Sequence, residues 1–192
     1  MTAPALDSLM LTEEAEEAAA TLLTALGMDI GADTERTPHR MVKALAELTA
    51  NLRTPFDPPA PGYTAMIIAR DVAFTSVCEH HVLPFTGHAT VAYVPQPGAR
   101  IVGLSKLARL VTGYAARPQM QERLGEQVTA AIMTHLDAQG AGCVLSAVHT
   151  CLTLRGPRSS TASMTSSHLA GRFFEPEMRA EFLALIANGR PS

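Results

Sequence analysis

The feature that most constrains this chain is the order of its periodicities: helical spacing, then strand alternation, then helical spacing, then strand alternation again. Ala65–Cys78 and Phe85–Pro95 are rich in β-branched residues and partly alternate apolar with polar, which predicts two strands paired as a hairpin. Gly103-Leu-Ser-Lys opens a helix to about Arg117, and Pro118 opens a second to about Gln139. Strand character returns over 142–154, a Ser/Thr-rich connection comes next, and His168–Phe174 reads as a fourth strand before a closing helix over Glu175–Ala187. Two strand pairs separated by a helix pair make an α+β chain.

Ahead of this block lie two more helices. Thr12-Glu-Glu-Ala-Glu-Glu opens one to about Met28, with acidic residues in the first turns where the helix dipole favours them. Thr37-Pro38 supplies a cap residue and a proline at the first helical position, leading to about Leu52. Residues 1–10 carry no pattern, and 54–63, with four prolines, reads as an extended linker.

Composition narrows the function classes. Eighteen acidic against fifteen basic residues leave a net charge of −3, which argues against a general nucleic-acid or membrane-surface binder and requires a local basic pocket for any anionic ligand. A 47% hydrophobic, 17% charged chain leaves uncharged surface for a partner subunit, so oligomerisation is expected. With no apolar run of about 18 residues and an acidic N-terminus where a signal peptide is basic, the chain reads as cytoplasmic. Its three cysteines, at 78, 143 and 151, make no disulfide framework there, which turns attention to metal binding or catalysis.

The densest cluster of metal-capable residues is Cys78-Glu79-His80-His81, where Cys-x-x-His brings a thiolate and an imidazole close enough to grip one ion. A second is His149-Thr150-Cys151, near the end of a predicted strand, where residues two apart face the same side. Cys78, His80, His81, His149 and Cys151 are then five candidates: four would close a structural zinc site, three plus water would make a hydrolytic centre. Cys143 has no ligand-type residue beside it and reads as a small buried hydrophobe. His88, alternating with Thr86 and Thr90, reads as a strand-face histidine, and Met120, Met133 and Met164 as core or interface filler. Lys106 and Arg109, three apart at a helix start, could grip phosphate. In Gln121-Glu122, a pair that would usually just face solvent, a carboxylate could accept two parallel N–H groups from an amidine-like edge such as guanine's.

Thr37-Pro-His-Arg40, Cys78-Glu-His-His81, Gly103-Leu-Ser-Lys-Leu-Ala-Arg109, Gln119-Met-Gln-Glu-Arg-Leu124 and His149-Thr-Cys151 through Arg155-Gly156 resemble, in order and approximate spacing, the signatures of the GTP cyclohydrolase I family. The resemblance runs from about residue 12 to residue 187. It implies the tunnelling fold, an antiparallel four-stranded sheet with a helix pair between strand pairs, over 61–192 as catalytic domain, with 1–60 as N-terminal tail, helices and linker. It implies a homo-oligomer, typically a decamer, with active sites between subunits. The implied reaction converts GTP and water to formate and 7,8-dihydroneopterin triphosphate, on the way to folate and related pterins.

Residue by residue, Cys78, His81 and Cys151 match the Zn2+ ligands, with the fourth position left for water. His80 and His149 match the two other active-site histidines. His80, an imidazole, is of the residue type suited to protonate N7 of guanine and make C8 electrophilic. His149, with Ser105 and Gln121, would carry the later proton transfers. Glu122 matches the carboxylate that reads guanine, and Lys106, Arg109, Arg155 and Arg40 match the residues that hold the triphosphate.

Three positions depart from the family pattern. Gly125 stands where threonine is usual, and a glycine inside a helix costs about 1 kcal/mol relative to alanine, which would loosen that helix. Ser146 replaces a common acidic residue and Pro157 a branched apolar one. Two other readings are open to such a chain: a catalytically silent pterin- or nucleotide-binding paralogue, and a tunnelling-fold enzyme acting on another purine, such as a deazapurine reductase relative, through a cysteine free of metal.

Overall fold

The computed structural model describes residues 12–49, 65–99 and 101–187. The chain divides into two compact units, 1–50 and 51–192. The expected tail, the helix end near Leu52 and the proline-rich linker lie outside the described residues.

The first unit holds helices α1 (Glu13–Ala25) and α2 (Thr37–Thr49). Thr12 caps α1, its side chain accepting from the Ala15 N–H at 3.2 Å, and Glu13, Glu14 and Glu16 occupy the first turn. The second helix starts at Thr37 itself, whose N–H donates to Thr34 O at 2.8 Å, so Pro38 is its second residue. A missing N–H is harmless there, because no carbonyl of the preceding turn awaits it. His39 Nδ1 meets Glu16 Oε1 at 2.8 Å and ties the two helices together.

The second unit runs β1 (Ile67–Cys78), β2 (Pro84–Pro95), α3 (Leu104–Ala115), β3 (Pro118–Gln119), α4 (Gln121–His135), β4 (Ala138–His149), α5 (Thr150–Thr153), β5 (Met164–Gly171), a 3-10 turn (Arg172–Phe174) and α6 (Pro176–Ala187). The strand order is β3-β1-β2-β4-β5, with the four long strands antiparallel. This is the α+β tunnelling-fold arrangement, its helix pair inserted between the two strand pairs.

One face of the sheet presents Phe85, Ala89, Val91 and Tyr93 from β2 and Ala141, Cys143, Leu145 and Ala147 from β4. Leu107, Leu110 and Val111 of α3 and Leu124, Val128 and Ile132 of α4 close over them. Alternation explains the pattern, since every second residue of a strand faces the helices. On the other face Ala92 and Val94 pack with Phe173 and Phe182. Farther along that face Thr75, Thr86, His88 and Ser146 are exposed, so His88 is the strand-face histidine expected. Cys143 is fully buried, and burial pushes its thiol up to about 12.

Four boundaries differ from the sequence reading, each for a tertiary reason. Pro118 opens no helix: Pro118–Gln119 pairs parallel with Val77–Cys78 as a short fifth strand, and Gln119 O accepts the Glu79 N–H at 3.0 Å. The helix α4 ends at His135 rather than Gln139, because Asp137, at φ +45°, turns the chain into β4. That strand stops at His149, because its neighbour β2 begins at Pro84, which has no N–H to extend the ladder. Cys151 therefore sits in the single turn α5 and not two residues along a strand from His149. Finally β5 spans 164–171 and not 168–174; its Thr165-Ser-Ser stretch has no apolar alternation, and pairing with β4 alone defines it.

Candidate metal centre and active site

Cys78 ends β1, and its backbone shapes the turn beyond it. Its N–H donates to Leu83 O at 2.8 Å, while its carbonyl accepts from His81 at 3.3 Å and from Val82 at 2.8 Å, closing one helix-like turn. Val82 reverses out of that turn at φ +53°, an uncommon conformation for a β-branched residue. The turn carries His81 Nδ1 back to 3.7 Å from Cys78 Sγ.

The third member arrives across the sheet. Thr150 Oγ1 donates to Pro84 O at 2.6 Å and fixes the start of α5, which brings Cys151 Sγ to 3.9 Å from Cys78 Sγ. The ligand atoms of Cys78, His81 and Cys151 all lie within 4.8 Å of one another. Cys78 is buried, Cys151 half-buried and His81 exposed, so the group opens to solvent on one side. Burial, then the adjoining Cys78 thiol, raise the Cys151 pKa, with Arg155 acting the other way. A thiol discouraged from ionising by a second sulfur 3.9 Å away makes a site that a cation would complete.

Beside this group stands a buried polar network. Gln121, 1% exposed at the start of α4, donates from Nε2 toward Leu145 O (3.2 Å), Met164 O (3.0 Å) and Ser166 Oγ (3.2 Å). Two of those partners are carbonyls, which only accept, so the amide orientation is determined. Its Oε1 then faces His149 Nε2 at 2.9 Å and can only accept, so Nε2 carries a proton. The neutral imidazole keeps its lone pair on Nδ1. Phe85, fully buried, stacks on the ring with centroids 4.4 Å apart and planes within 6°. Burial lowers the His149 pKa, while the Glu122 carboxylate raises it.

The remaining candidates divide. His80 is exposed in the same turn as His81, their rings edge to face at 6.2 Å. Glu122 is exposed in the first turn of α4, and Arg155 lies just beyond α5. Glu79 pairs with Arg123, whose hydrogen bond lowers the carboxyl's pKa and joins the Cys78–His81 turn to α4. Ser105, Lys106 and Arg109, by contrast, are not brought to the cysteines. Val102 N–H donates to Tyr93 OH at 3.0 Å, at the end of β1 where Tyr93 pairs with Ile67. Ser76 Oγ donates to Ala115 O at 2.7 Å, at the Cys78 end. Thus α3 runs along β1, and Ser105 lies ten residues, about 15 Å, back from the helix end that adjoins Cys78. Arg40 belongs to the other compact unit.

Sequence reading missed Phe85, Ser166 and Gln119. The last is 1% exposed and satisfied on both sides of its amide: Nε2 donates to Tyr114 O (3.1 Å) and Gln127 Oε1 (2.9 Å), and Oε1 accepts from the Met120 N–H (3.1 Å). Phe85 had an available signal, since it lies four residues past the Cys-x-x-His turn, as Phe74 lies four before it; Ser166, in a Ser/Thr-rich tract, had none.

No helix among the described residues is long and apolar enough to cross a membrane. The family model for GTP cyclohydrolase I matches residues 15–187. A GTP cyclohydrolase 1 of Leifsonia xyli subsp. xyli is 42% identical over 182 residues, 91% of this chain and 94% of that one. Those of a Synechococcus strain and of Dehalococcoides mccartyi are each 41% identical, over 86% and 82% of this chain and 75% and 89% of their own. A solved archaeosine synthase QueF-Like structure in the apo form is similar at TM-score 0.43 and 12% identity, over 60% of this chain and 97% of that one, too distant to bear on function. With the family model spanning residues 15–187 and relatives at this identity matched over three quarters or more of their length, the chain belongs to the GTP cyclohydrolase I family.

Proposed function

We propose that this chain is a zinc-dependent GTP cyclohydrolase I of the cytoplasm, converting GTP and water to formate and 7,8-dihydroneopterin triphosphate, with its catalytic domain over 61–192. The observation that carries the reading is the convergence of Cys78, His81 and Cys151 next to a His149 whose tautomer is held by Gln121. Two thiols and one imidazole are a donor set suited to zinc, and three protein ligands leave a fourth position open. Zinc bound there supplies Lewis-acid activation of water near neutral pH.

The chain's own residues do the rest. His80, exposed beside His81, delivers the proton that makes guanine C8 electrophilic. His149 offers Nδ1 as the acceptor in later proton transfers, and Gln121 serves by holding the ring. Glu122 accepts from guanine's N1–H and 2-amino group, which would leave it unpaired against adenine and so selects GTP. Lys106, Arg109 and Arg155 hold the triphosphate, and Ser105 joins His149 in the later proton transfers. Because Ser105 and Lys106 lie about 15 Å along α3 from the helix end beside Cys78, a complete site needs α3 of a second copy. This supports a homo-oligomer, in the family's decameric form, with sites between subunits.

Two thiols 3.9 Å apart also speak against a reading in which a lone cysteine, free of metal, attacks another purine. The test is incubation with GTP and, separately, ATP, following formate and oxidised pterin fluorescence. GTP-specific formate, one per pterin, is expected. Tight GTP binding without formate would mark a silent binding subunit.

A further inference from the structure

We infer that Gly125 and His168 form a matched pair that registers α4 on β5, which makes His168 a positioning residue for the turn that holds Gln121 and Glu122. The inference rests on the function proposed above and deepens it.

The glycine, buried in the second turn of α4, looks like a flaw by helix propensity. A Cβ added there would lie 2.2 Å from His168 Cδ2, 2.9 Å from its Nε2 and 3.0 Å from its Cγ. The imidazole thus occupies the volume a side chain at 125 would need. His168 stands on the helix-facing side of β5, opposite Cys143, so the packed sheet lies beneath it.

The spacing makes this contact a register mark. One helical turn before Gly125, the Gln121 amide grips Met164 O and Ser166 Oγ of the same strand. From Gln121 to Gly125 the helix rises about 6 Å. From Ser166 to His168 the strand advances about 6.6 Å. The two contacts therefore stay in step as α4 and β5 run side by side in one direction. A side chain at 125 that lifted the helix from His168 would draw Gln121 from its acceptors and release His149. Rather than loosening the guanine-reading helix, Gly125 lets it sit close.

The test compares the parent with Gly125→Ala, His168→Ala and the double variant, measuring kcat and KM for GTP, zinc content and thermal unfolding. Gly125→Ala is expected to lower kcat about 10- to 100-fold, as displacements of about 1 Å do, with zinc content unchanged. His168→Ala opens the space, so the double variant should exceed Gly125→Ala in kcat. Parent-like kcat in Gly125→Ala, meaning the ring simply swings aside, would overturn the inference, as would a double variant no better than that single. Helix propensity alone predicts Gly125→Ala to be the more stable protein, so the sign of its unfolding shift is a second discriminator. If Gly125→Ala yields no folded protein, adding the alanine to His168→Ala must raise kcat, and a further fall refutes the pairing. Should the parent itself not turn over GTP, the functional reading fails, while the unfolding midpoints of the four proteins still decide the pair: both singles below the double support it, and additive shifts overturn it.

Discussion

Gln121→Met removes an amide from the centre of the polar network while keeping the length of the side chain. In the native protein Nε2 has three acceptors between 3.0 and 3.2 Å, and Oε1 accepts from His149 at 2.9 Å. The substitution leaves the His149 Nε2–H and at least one β5 acceptor without a partner, and each group so abandoned costs about 1–3 kcal/mol, so a loss of about 2–6 kcal/mol is expected. At about 2–4 °C per kcal/mol for a chain of this size, the thermal midpoint should fall by about 4–24 °C. The kinetic consequence is sharper. Gln121 has no face to the solvent, so in the proposed function its effect on the reaction runs through His149. Initial rates of formate release should show Gln121→Met lowering kcat with little change in KM, and having almost no further effect when His149 is already alanine. Independent, multiplicative effects of the two substitutions would refute the reasoning and place Gln121 on the substrate.

Val82→Gly should leave stability unchanged or slightly raised, since about 1–2 kcal/mol of left-handed strain is relieved against about 1 kcal/mol of added chain entropy; a fall beyond about 1 kcal/mol in denaturant unfolding would show that the isopropyl group packs. Thiol labelling of chelated, folded protein at pH 8 should modify the half-buried Cys151 and spare Cys143, whose pKa near 12 leaves about one thiolate in ten thousand; labelling of Cys143 without denaturant would contradict its burial. Zinc affinity should rise with pH through neutrality, because Cys151 has a raised pKa and must give up its proton to bind; an affinity flat between pH 6 and 8 would remove the thiols as ligands.

What could be read in the sequence was whatever local chemistry decides. β1 and β2 were legible because β-branched residues alternate along them, and the Cys78–His81 pair because three residues span a single turn. The setting of Cys151 was not legible, since its strand is ended by the missing N–H of Pro84, 66 residues from Thr150. Nor was β3, whose two residues become a strand only by meeting the end of β1. The position of β5 was obscured by small polar residues that carry no periodicity. The separation of Ser105, Lys106 and Arg109 from the cysteines depends on the direction in which α3 crosses β1, which no spacing along the chain encodes. Gly125 shows the converse: propensity makes it a weak point, and only the ring across from it gives it a role.

The most direct test of the central claim sets zinc content and GTP turnover side by side in the parent and in Cys151→Ala. The parent should carry one zinc per chain and release formate that chelation abolishes and zinc restores, and Cys151→Ala should be folded, low in zinc and inactive. Full zinc occupancy in Cys151→Ala, or formate release that survives complete removal of metal, would contradict it.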